Sequence, residues 1–81
     1  MAKRTREQLL VAFKRGGTRS YAEAKELLEA WKFEVRRTSG GHAFWEHPRG
    51  VTLTIPMKRE LKTVYRTLVI KKIEQIQLLD D

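Results

Sequence analysis

The chain has 81 residues, no cysteine, and 17 Lys and Arg against 10 Asp and Glu, for a formal charge of +7. A chain of this length holds one domain with a thin core, burying only about 60% of the surface that its unfolded form exposes. The missing cysteines exclude a disulfide framework and a Cys-based zinc knuckle, and the excess of cations points to polyanionic partners.

In chain order, Thr5 with Gln8 and Ser20 with Glu23 both fit the capping box, in which a hydroxyl and an acid or amide three residues on satisfy orphan helix donors. A first helix is expected to run to about Arg15, with Leu9, Leu10 and Phe13 as its apolar side and Gly16-Gly17 ending it. A second carries Ala24, Leu27, Leu28 and Trp31 at i, i+3, i+4 and i+7, one stripe of a 3.6-residue helix, and leaves Glu23, Glu26 and Glu29 to solvent. Charge is uneven: residues 1–20 hold six basic side chains and Glu7 as their one acid, whereas Tyr21 to Lys32 is locally acidic.

From Phe33 the period changes to two. Phe33 and Val35 alternate with Glu34 and Arg36, Thr38-Ser39-Gly40-Gly41 reads as a turn, and His42 to His47 forms a second strand. Pro48-Arg49-Gly50 is turn chemistry, Val51, Leu53 and Ile55 alternate with threonines in a third strand, and Pro56 stops it. A long helix is expected from about Lys58, with Leu61, Val64, Tyr65 and Leu68 facing the core. Val69, Ile73 and Ile76 lie about 100° round that helix, so this second stripe is expected to pack on the N-terminal helix or on a partner chain.

The order α-α-βββ-α describes an α+β domain with helices over one face of an antiparallel meander. Residues 1–19 read as an N-terminal helical extension and 20–81 as the main domain, in one compact unit. No apolar h-region follows the basic N-terminus and no apolar run approaches the roughly 18 residues that span a bilayer, so a soluble cytoplasmic protein without membrane contact is expected.

The second strand holds the residues that invite chemistry. A metal site built on His42, Glu46 and His47 fails on geometry, because strand alternation puts His42 and Glu46 on one face and His47 on the other. A Ser39/His42 nucleophile pair lacks an orienting acid. His42 by itself, after a Gly-Gly turn that lets a phosphate approach the main chain, suits general acid or base work near neutral pH. RNA cleavage needs such a group beside cations, and Arg36, Arg37, Arg49, Lys58, Arg59, Lys62 and Arg66 are the candidates. Lys58, Lys62 and Arg66 make an i, i+4, i+8 row on the expected helix. Phe44 and Trp45 are both able to stack on bases, but one of them must face the core.

Ala24-Lys25-Glu26-Leu27-Leu28, Phe33 to Arg37, Gly40 to Pro48, Val51 to Pro56 and Arg59-Glu60-Leu61-Lys62 stand in the order and spacing of the HicA, or YcfA-like, mRNA interferase toxins, which this chain resembles from Ser20 to about Ile70. The resemblance implies a fold like double-stranded RNA-binding domains and a toxin-type endoribonuclease without cofactor or metal. It places the catalytic histidine at His42, after the Gly40-Gly41 turn already read as RNA-binding, and makes mRNA and an acidic HicB-like antitoxin the partners. Where that family usually has Gly-Ser-His-His, this chain has Gly40-Gly41-His42-Ala43. The alternative expectation is therefore a non-catalytic RNA-binding module of the same fold. A third reading makes the protein chiefly an interaction subunit, a homo-oligomer included, with the Val69/Ile73/Ile76 stripe as its docking face.

Overall fold

A computed structural model describes residues 5–15 and 20–79. Three helices, α1 (Arg6–Lys14), α2 (Tyr21–Ala30) and α3 (Thr63–Leu79), accompany strands β1 (Glu34–Ser39), β2 (His42–Glu46) and β3 (Thr52–Pro56), which pair antiparallel in the order β1-β2-β3. This is the expected α+β order of helix, helix, three-stranded meander and helix.

Both capping boxes form. Thr5 Oγ1 accepts from Gln8 N at 3.1 Å while Gln8 Oε1 accepts from Thr5 N at 2.9 Å, and Ser20 and Glu23 exchange the equivalent bonds at 3.2 and 3.1 Å. The Gly16-Gly17 stop lies outside the described residues, as does part of the 1–19 extension. The described part of that extension belongs to the common core: Leu10 and Phe13 are buried, and Trp31 Nε1 donates to Arg6 O at 3.1 Å, tying α1 to the end of α2. Arg6 also lies over the Trp31 ring at 4.3 Å.

The last helix departs from expectation in two ways. It starts at Thr63, not Lys58; Lys58 O accepts from Tyr21 N at 2.9 Å, which ties this segment to the start of α2. Residues 57–62 instead run as a connector whose Leu61 is buried. The helix is also rotated relative to the Leu61 stripe: Val69, Ile73 and Ile76 are fully buried where α3 meets β3 and α2, Val64 is 66% exposed, and Tyr65 and Leu68 are half-buried. The stripe expected on α1 or a partner thus lies in the chain's own core, in one cluster with Leu10 and Phe13 of α1, whose Lys14 pairs with Glu74 of α3 at 2.8 Å, which removes it as a docking face.

The sheet has one covered face. Ala43, Trp45, Leu53 and Ile55 are buried against the helices, with Phe33 and Val51 completing the core at the strand ends. Every residue of β1 is exposed, including Val35, so the helices cover β2 and β3 and leave β1 as an open edge.

Candidate functional site

Period-two alternation puts His42, Phe44 and Glu46 on the face away from the helices, since Ala43 and Trp45 are in the core. Their cross-strand partners are Ser39, Arg37 and Glu34 on β1, and Pro56, Thr54 and Thr52 on β3. The sequence alone left Phe44 and Trp45 as alternatives, and the fold separates them. Trp45 is fully buried, with its ring 6.5 Å from that of Tyr21, while Phe44 is half-buried on the open face.

His42 stands at the head of β2, exposed to solvent, directly after a two-residue turn in which Gly40 and Gly41 have φ of +57° and +79°. Positive φ at both central positions is what a type I′ hairpin turn requires, and glycine supplies it without a Cβ penalty. The His42 Nδ1 atom lies 3.2 Å from Gly40 O. A carbonyl oxygen only accepts, so in the neutral imidazole this contact goes with the proton on Nδ1 and the lone pair on Nε2.

A β-bulge shapes the cations beside it. Val35 pairs with Trp45 and Arg37 with Phe44, so Arg36 is the extra residue in β1. Strict alternation would put Arg36 and Arg37 on opposite faces; the bulge brings both to the open one. Arg36 Nε contacts Glu46 Oε1 at 3.1 Å, and the Arg37 guanidinium carbon lies 5.8 Å from the Phe44 ring centre. No spacing rule in the sequence signals this bulge.

The other sequence-predicted cations are distributed unevenly. Met57 N donates to Gly41 O at 2.7 Å, which brings the connector carrying Lys58 and Arg59 to the His42 end of the sheet. Lys62 opens α3, its carbonyl accepting from Tyr65 N and Arg66 N at 2.9 and 3.1 Å, so the expected helical row Lys58-Lys62-Arg66 does not exist as a row. Arg66 is partly buried, and its Nε has no hydrogen-bond partner among the described residues. Arg49 is at the opposite end: it follows β2, whose span from His42 to Glu46 is about 14 Å, and its guanidinium donates to Leu79 O at 2.8 Å, closing the C-terminal end of α3. That position suits a cation against a helix C-terminus and separates Arg49 from the His42 group.

His47 has a structural place. It is 6% exposed, stands edge-on to Phe33 at 5.0 Å, and accepts from Arg49 N at Nδ1 over 3.0 Å, which assigns its proton to Nε2. Among the described residues no group of three or more His, Asp or Glu side chains is placed to hold a metal ion, and no helix is long and apolar enough to cross a membrane. Compared with known proteins, the chain matches no family model, no curated protein and no solved structure.

Proposed function

We propose that this protein is a HicA-like, toxin-type endoribonuclease that cleaves mRNA by metal-independent acid–base chemistry at His42. The observation that carries the reading is the His42 geometry: an exposed imidazole on the open sheet face with its Nδ1 3.2 Å from Gly40 O, a contact that in the neutral ring leaves Nε2 as the proton acceptor. In that tautomer His42 acts as general base. Nε2 takes the proton of a ribose 2′-hydroxyl, the 2′-oxygen bonds to the adjacent phosphorus, and the P–O5′ bond breaks. The products are a 2′,3′-cyclic phosphate and a 5′-hydroxyl that takes its proton from solvent. Arg37 on the same face, with Lys58 and Arg59 on the connector bonded to Gly41, would offset the charge gathering on the phosphate. Lys62 and Arg66, at the start of α3, would extend the basic surface along the RNA backbone. An acidic HicB-like antitoxin that covers this surface belongs to the same proposal.

One observation favours a second reading, a non-catalytic RNA-binding module. Ala43, at the position of the second histidine usual in the HicA toxins, is fully buried on the core face, so that position supplies no acid to the leaving group. The test is incubation of a long single-stranded RNA with purified protein in EDTA, with the native chain beside His42→Ala at two salt concentrations. Cutting by the native chain alone supports the nuclease; salt-dependent binding by both without cutting supports the binding module.

A further inference from the structure

Besides His42, the open sheet face holds an aromatic ring that nothing in the core requires. Phe44 shares the face with His42 two residues along β2, a separation of about 7 Å, comparable with the reach across one ribose from base to phosphate. Arg37 stands over the ring at 5.8 Å, and the exposed Thr54 flanks it on β3. The face is also polarised. Its carboxylates, Glu34 and Glu46, lie at the end away from the hairpin turn, and Glu46 is held by Arg36; the half containing Phe44 and His42 carries Arg37 and no acid of its strands.

We propose that Phe44 and Arg37 form a stacking subsite for one unpaired nucleobase, which sets the substrate as single-stranded RNA and lays the phosphate next to that nucleotide against His42. The inference rests on the RNA reading above and adds what selects the substrate. Aromatic rings and guanidinium planes are the surfaces on which splayed-out bases stack, whereas bases inside a duplex offer no free face. A base between the two groups needs two van der Waals contacts, about 7 Å in all, so the exposed Arg37 side chain has to move out by only about 1 Å from its 5.8 Å position. A strand-borne Phe also brings little flexibility to the site, and its neighbours Trp45 and Ala43 anchor β2 in the core.

The test uses the full chain and a 2′-O-methyl oligonucleotide, which keeps the bases but lacks the reacting 2′-hydroxyl, so that binding is read without cleavage. Affinity for the single strand and for a duplex of the same sequence is measured by fluorescence anisotropy for the native chain, Phe44→Leu and Phe44→Trp. Phe44→Leu is expected to weaken single-strand binding roughly 5- to 100-fold and to leave duplex binding unchanged. Phe44→Trp is expected to keep single-strand binding and to show tryptophan quenching on addition of the single strand. If native protein binds the single strand but Phe44→Leu binds it equally and the introduced tryptophan is not quenched, the subsite is wrong while the RNA reading stands. Binding of neither nucleic acid by native protein overturns both. Should Phe44→Leu fail to fold, the Phe44→Trp quenching decides alone.

Discussion

The Nδ1 atom of His42 lies 3.2 Å from the carbonyl oxygen of Gly40, so the turn that reverses the chain also orients the imidazole. The conformation of two glycines and the orientation of a candidate base are thereby one structural unit.

That coupling makes the turn sensitive to any side chain. Open space surrounds an added Cβ at Gly41, but its φ of +79° is strained for an L-residue. Gly41→Ser, which would reproduce the HicA pattern at this position, is expected to lower the stability by about 1–2 kcal/mol and to loosen the His42–Gly40 contact. Urea denaturation monitored by circular dichroism checks the first expectation. A variant as stable as the native chain would show that the turn does not hold this geometry.

The rotation of α3 is tested by a pair of substitutions. Ile73→Ala removes a fully buried side chain and is expected to cost about 2–5 kcal/mol, enough to unfold much of so small a domain at 37 °C. Val64→Ala, on the exposed side, is expected to fall within roughly 0.5 kcal/mol of the native chain. Thermal melts of the two variants read the difference, and the reverse order would put the other stripe in the core.

Tyr21 couples stability to alkaline pH. Burial raises its pKa above the ordinary 10.0, the Glu29 carboxylate adds to this, and the nearby Trp45 indole opposes it without reaching hydrogen-bond geometry. With the folded value above the unfolded one, both states are protonated below about pH 10 and the fold is unaffected there. Above it the unfolded chain ionises first, and stability falls as pH rises towards the folded value. The urea midpoint of the native chain should therefore decline above pH 10 more steeply than that of Tyr21→Phe; equal slopes would show Tyr21 to be uncoupled.

Much of the architecture was legible because local rules act within a few residues. The capping boxes of Thr5 and Ser20, the Ala24-Leu27-Leu28-Trp31 stripe and the Gly40-Gly41 hairpin each need only their own segment to form, and each forms. The departures come from longer-range contacts. The segment before α3 is tied to α2 by the Tyr21 N bond to Lys58 O, and the face of α3 that enters the core follows from its docking on β3 and α2. The same holds at the site. His42 could be read from a turn followed by a strand, but the bulge at Arg36, which brings two successive arginines to one face, and the withdrawal of Arg49 to Leu79 O depend on pairings that no periodicity encodes.

The central claim is that His42 activates a ribose hydroxyl. End-group analysis of RNA incubated with the native chain and with His42→Ala, both in EDTA, addresses it most directly. The account predicts fragments ending in 2′,3′-cyclic phosphate and beginning with 5′-hydroxyl from the native chain, and at least about 100-fold less of them from the variant. Equal cleavage by the two proteins, or fragments carrying 3′-hydroxyl and 5′-phosphate ends, would contradict it.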